Sequence, residues 1–171
     1  MASNSATCTV CGKRHPITES ELFFQRPDPI WELSKSERPK RCKESDDLCV
    51  LWGKEGKRDR HFVRAVLPLP VDGRDRPYRI GVWVETTKKD FRRILDLWSA
   101  VDQAEEPPFK VKLANQLPIE AKSLGLSVKL QLAGPTERPA VVIPESKHSL
   151  YFEQSRGITP HRAHEYTPSP N

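Results

Sequence analysis

From Asp47 onward the chain carries the alternation of apolar and polar positions expected of half-buried strands, where neighbouring side chains point to opposite faces. Asp47–Trp52 is a short apolar run closed by Gly53 and Gly56, and His61–Leu67 is a β-branched run stopped by Pro68 and Pro70. In Tyr78–Glu85 the residues Tyr78, Ile80, Val82 and Val84 share one face, while Arg79, Gly81, Trp83 and Glu85 share the other. The links between these three runs are short and turn-rich, which predicts an antiparallel meander. The period then changes. Over Lys88–Ala100 the apolar residues Phe91, Ile94, Leu95 and Trp98 recur at helical spacing, behind a Thr87 cap with Asp90 three residues on. Strand texture returns at Phe109–Leu113, at Leu126–Leu132 and at Ala140–Ile143, with Ser149–Glu153 as a further candidate strand. Pro160–Tyr166 reads as a short closing helix with Pro at an early position. Ahead of the meander, Thr18–Phe24 suits one or two helical turns before Pro27 and Pro29, and the segment bearing Trp31 and Leu33 reads as irregular cover for one edge of the core. The architecture expected is α+β: an antiparallel sheet of about five to seven strands, one main helix packed on it, and an N-terminal CxxC knuckle.

Composition narrows this further. At 171 residues one domain is the default, set at 7–166 with the knuckle region at 7–49, between unstructured ends at 1–6 and 167–171. Sixteen prolines argue against a helical bundle, because each one inside a helix removes a hydrogen bond and clashes with the preceding turn. No apolar run approaches the roughly 20 residues needed to cross a bilayer, and MASNSATC has no apolar signal region, so the expectation is a soluble cytoplasmic protein that does not engage membranes. The net charge of +5 is spread rather than gathered, with local excess at Lys35–Lys43 and Lys54–Arg60 that is mixed with acids. Solvated loops explain that pattern better than a nucleic-acid face does.

Four cysteines, Cys8, Cys11, Cys42 and Cys49, lie in the first third of the chain. Cys8-x-x-Cys11 is the spacing at which two thiolates share one tetrahedral zinc, and Gly12 follows where the knuckle turn is tightest. His15, Cys42 and Cys49 are available as further ligands. Two other readings stand beside structural zinc: a thioredoxin-like redox pair, although that motif normally opens a helix in a βαβ unit, and thiols with no joint role.

Elsewhere no nucleophile elbow, zincin motif, P-loop or dinucleotide fingerprint is present, so no catalytic residue is assigned. Asp46 and Asp47 are adjacent on a strand and point apart. Two groups form a candidate ligand face. One is the Arg79/Gly81/Trp83/Glu85 side of its strand, where Gly81 would admit a ligand or another backbone close to the sheet. The other is Arg138 with His148 and Gln154, since Arg suits oxyanions and His can carry a proton near neutral pH. Packing by the chain's own segments is the simpler account of both.

The succession CTVCGKRH, DDLCVLW, HFVRAVLPLPV, GVWVETTKKDFRRILDLW, LANQLP, ERP and HSLYFEQSRGI resembles the uncharacterised bacterial domain-of-unknown-function family 2199, from about Cys8 to about Tyr166. The resemblance implies a C-x-x-C-G-x-x-H start and a later Asp-x-Cys, matched by Cys8, Cys11, Gly12, His15, Asp47 and Cys49. It makes Cys49 the third ligand and Cys42 the substitute. Ile119–Ser123 departs from the family pattern. The resemblance brings no established reaction with it. The function expected is therefore a zinc-stabilised binding or interaction module without catalysis, with a protein partner as one prospect. A metal- or thiol-dependent enzyme and a nucleic-acid-binding protein are the alternatives.

Overall fold

The computed structural model describes residues 5–7, 11–16 and 21–168, with backbone alone at Ser5, Ala6, His15 and Pro16. Strands β1 (Ser5–Thr7) and β2 (Arg14–Pro16) form a small antiparallel ribbon. Two single-turn helices follow, α1 (Asp28–Trp31) and α2 (Arg38–Arg41). Strands β3 (Cys42–Glu44), β4 (Leu48–Leu51), β5 (Arg60–Leu69) and β6 (Tyr78–Thr86) run as an antiparallel meander. Helix α3 (Lys88–Leu97) leads to β7 (Phe109–Leu113), β8 (Ser127–Gln131) and β9 (Ala140–Val142), and α4 (Ser149–Arg156) and α5 (Pro160–Tyr166) end the order.

The ten-residue β5 explains why the sheet curls. Its first half pairs with β4 through Leu51↔Arg60 to Leu48↔Val63, and farther along Val66 pairs in parallel with Ala140 of β9. Strands β5 to β9 thus close on themselves as a five-stranded barrel, with β4 and β3 extending from it. Closure removes two open strand edges. Whereas α2 and β3 stand where the charge pattern reads as a solvated loop, the β4–β6 meander, the main helix and the three later antiparallel strands are as the alternation predicts. The closure is not, because one long strand serving two partners on a single edge leaves no mark on the alternation.

Inside lie Val63, Ala65, Leu67 and Leu69 of β5 facing Tyr78, Ile80, Val82 and Val84 of β6, joined by Val111, Leu130 and Val141 from the closing strands. Helix α3 adds Phe91 and Ile94 to this core. Leu95, assigned to the apolar stripe by its spacing, is 41% exposed, and the partly buried Leu97 and Trp98 complete the stripe instead. Thr87 Oγ1 accepts the Asp90 N–H at 3.1 Å, as a capping threonine should.

Three local expectations are corrected. Ser149–Glu153 is helical, within α4, because the His148 ring caps its first turn. Leu22–Phe24 is extended, not helical, and lies beside β6 with Phe23 in a parallel bridge to Gly81; residues 18–20 are outside the described residues. Trp31 ends a helical turn rather than an irregular stretch. At the C-terminus, Thr167 is fastened: its Oγ1 donates to Ala163 O at 3.0 Å and lies 3.0 Å from the Tyr78 hydroxyl.

Candidate functional site: an arginine-walled cleft

The outer faces of β5 and β6 are set by their register. Arg64 sits opposite Trp83, Val66 opposite Gly81, and Pro68 opposite Arg79, so these six residues share one surface of the sheet. Residues 22–33 cover one end of that surface. Beneath them Ile30, Cys42, Cys49, Leu51, Phe62, Trp83 and Ala114 make a second core, outside the barrel. Asn115, fully buried, pins the cover in place. Its Oδ1 accepts the Trp83 N–H at 2.8 Å, and its Nδ2 donates to Arg26 O and Asp28 Oδ1, both at 2.9 Å.

The cover stops at Phe23, and a cleft of about 910 Å³ opens there over the rest of the surface. One rim is the Glu21–Phe23 segment, stitched to β6 by Phe24 N–H to Gly81 O at 2.8 Å and Gly81 N–H to Leu22 O at 2.9 Å. Gly81 is what allows this approach: a Cβ built there would lie 2.7 Å from Phe23 Cβ. The opposite rim is the turn 134–139 before β9, tied down by Val66 N–H to Pro139 O at 2.9 Å.

Four arginines, Arg64, Arg76, Arg79 and Arg138, line this cleft against Glu21, Asp47 and Glu137. Arg76 pairs with Glu21 at 2.9 Å, and Arg138 Nε donates to Asp47 Oδ1 at 2.9 Å. Glu21 also accepts the backbone N–H of Arg79. The Arg64 guanidinium lies 5.8 Å from the Phe23 ring and 6.0 Å from the Trp83 ring, and Nη1 donates to Asp46 O at 3.2 Å. Burial, then the neighbouring Arg138, push the Arg64 pKa down from its ordinary value. Asp47 and Asp46 act on it in the opposite direction. The cations of the cleft lining are all guanidinium groups, whose planar forks suit oxyanions, and its other ionisable groups are the carboxylates of Glu21, Asp47 and Glu137.

The candidate ligand face is thus divided. Arg79 and Arg138, drawn from separate stretches of sequence, meet in this cleft. Trp83 is 2% exposed, and its Nε1 donates to Phe24 O at 3.0 Å; the ring is covered by its own chain, as packing alone would have it. His148 is elsewhere, its Nδ1 accepting Leu150 N–H at 3.2 Å and its Nε2 lying 3.0 Å from Lys122 O. Because the Leu150 amide can only donate, Nε2 carries the proton to Lys122. Gln154 is a latch between β5 and β9: its Nε2 donates to Pro68 O and Val141 O, and its Oε1 accepts from Ile143 N. Glu85 clamps Arg60 through both oxygens, at 2.8 and 2.7 Å. Arg64 and Phe23 were missed by sequence reasoning. Arg64 sits inside an apolar strand, and only strand pairing brings it beside residue 138.

Of the cysteines, Cys8 is outside the described residues, as is the His15 side chain. Cys11 is exposed, and Gly12 beside it has φ +69°, the left-handed conformation that a knuckle turn requires. Cys42 and Cys49 are both buried, on the neighbouring strands β3 and β4. Burial pushes the Cys49 thiol up to about 12, and Cys42 Sγ donates to Arg38 O at 3.0 Å. Among the described residues, no group of three or more His, Cys, Asp or Glu is placed to hold a metal ion, and no helix is long and apolar enough to cross a membrane.

A family model covers residues 7–158: domain-of-unknown-function family 2199, whose description is "uncharacterized protein conserved in bacteria". No curated protein and no solved structure matches the chain.

Proposed function

This chain belongs to that family of uncharacterised bacterial proteins, and from this premise we propose that it is a binding module whose arginine-walled cleft captures an anionic ligand without transforming it. One observation carries the reading. Two of the four cleft arginines, Arg64 and Arg79, make no ion pair with a carboxylate among the described residues, while Arg76 and Arg138 do. The Arg138 charge bears on the half-buried Arg64, and a bound oxyanion would relieve that repulsion.

The test is calorimetry at low salt with inorganic phosphate and citrate as probes. Arg79→Gln is the first variant, because its exposed side chain has no partner to lose among the described residues. Binding to the wild type that weakens tenfold or more in Arg79→Gln supports the reading. Equal binding by both proteins, or none by either, overturns it.

Zinc belongs to the same proposal as a stabiliser of the N-terminal ribbon. Its support is the ribbon itself: Thr7 pairs with Arg14, the sequence between them carries Cys8, Cys11 and the left-handed Gly12, and His15 lies on the second strand. There the metal would hold the turn closed, as structural zinc does when thiolates and imidazole complete a tetrahedron. Native mass spectrometry should find one zinc per chain that Cys11→Ser releases. A metal-free wild type, purified without chelator, counts against zinc and leaves the cleft reading untouched.

A further inference from the structure

The anion-binding reading leaves open what carries the charge, and the answer lies in the free edge of Arg64. Arg60 and Arg93 show how this chain uses a guanidinium: each turns its Nε and Nη2 to one carboxylate, Glu85 at 2.8 and 2.7 Å and Glu106 at 3.0 and 2.9 Å. In Arg64 that edge has no acceptor among the described residues: Nε is closed off from solvent and unpartnered, Nη2 is unpartnered, and Nη1 donates to Asp46 O. The side chains of Arg38 and Arg41 also leave Nε unpartnered, but neither lines the cleft.

The surroundings of that edge are specific. Phe23 is 60% exposed, yet it is fixed by backbone hydrogen bonds on both sides of its bridge to Gly81. The ring offers a rigid apolar plate on the rim, with the Arg64 guanidinium against it. Trp98, from the end of α3, adds a second aromatic side chain to the lining. A carboxylate is satisfied by one bidentate arginine. Two uncommitted guanidinium groups instead match an oxyanion with three acceptor oxygens and a charge of about −1.5 to −2, which is a phosphate monoester. A flat ring on that ester would stack on Phe23, as bases stack on exposed aromatic side chains. A cleft of about 910 Å³ has room for both parts.

Building on the anion-cleft proposal, we infer that the cleft takes a phosphate monoester borne on a flat aromatic ring system, the chemistry of a nucleoside monophosphate. Arg64 receives the phosphate, Arg79 supplements it, and Phe23 receives the ring.

Calorimetry with adenosine 5′-monophosphate, adenosine and inorganic phosphate tests this on the full chain, with Phe23→Ala, Arg64→Gln and Arg79→Gln. Phe23→Ala keeps the Cβ that touches Gly81, and circular dichroism checks that every variant is folded. The monophosphate should bind at least tenfold more tightly than either fragment. Phe23→Ala should erase that advantage and leave phosphate binding unchanged, while each arginine variant should weaken both phosphate ligands tenfold or more. If phosphate alone binds as tightly as the nucleotide and Phe23→Ala has no effect, the aromatic inference falls and the anion cleft survives. If adenosine binds as well as the nucleotide, or nothing binds, both fall together.

Discussion

At the scale of single residues, the most consequential side chain is an uncharged one. Asn115 spends its amide on three partners, two of them nearly ninety positions earlier in the chain, and so decides where the cover of the second core is laid down. Replacing it by Ala strands the buried Trp83 N–H and leaves Asp28 Oδ1 without its donor, while Oδ2 keeps the Gln116 N–H. We expect a loss of about 1–3 kcal/mol, the range for leaving a buried polar group unpaired. Asn115→Asp should be at least as damaging, since it sets a second carboxylate against Asp28 Oδ1. Urea unfolding of the two variants checks both, and an Asn115→Asp protein as stable as the wild type would disprove the clamp. Asn115 is visible in the sequence only as a polar residue after a strand, because its partners are fixed by tertiary folding. Trp83 is the converse case. Its position on the outward face is read correctly from the alternation, but burial there depends on a covering segment that the alternation of β6 does not describe.

Among the elements, α4 shows where local pattern fails. Leu150, Tyr151 and Phe152 are consecutive apolar residues, which suit a strand as well as a helix, and only Leu150 is fully buried. What decides is the His148 ring, which takes up the first free N–H of the turn and is not among the usual capping residues. His148→Ala should therefore cost about 1 kcal/mol and raise amide exchange at Leu150. His148→Asn, which restores an acceptor, should recover most of it. Gly81 is the matching case in β6. Its alternation is regular, and the glycine in the outward row signals close approach by something, which proves to be Phe23. Gly81→Ala should push residues 21–24 from the sheet, at a cost of about 1–3 kcal/mol typical of overpacking. Faster exchange of the Phe24 and Gly81 amides, with the protection of Val84 unchanged, is the signature of a displaced rim in an intact barrel.

For the whole molecule, closure ties distant parts together. The Tyr78 hydroxyl lies 3.0 Å from Thr167 Oγ1 and accepts the Leu22 N–H at 2.8 Å, joining both ends of the described body to one barrel strand. A body held this way should respond to pH as one cooperative unit, and His61 supplies the cleanest probe. It is buried at the head of β5 with its ring centroid 5.0 Å from that of Phe91, and burial is the main reason its pKa lies below the ordinary value. Lys88 and Arg92 lower it further, while Asp59 and Glu85 act the other way. The unfolded chain takes up this proton near about pH 6.5, and the folded chain only at lower pH. Between those points the unfolded state binds more protons, so the His61 contribution is complete above about pH 6.5 and is lost as pH falls through the folded value. The glutamates whose pKa is lowered in the fold, Glu37, Glu106 and Glu165, titrate below this window. Urea midpoints for the wild type should therefore decline between about pH 6.5 and pH 5, and His61→Leu, which packs on Phe91 without titrating, should flatten that decline. A variant that keeps the wild-type slope would mean that the imidazole charges without penalty, and that the α3 end of the barrel is open to water.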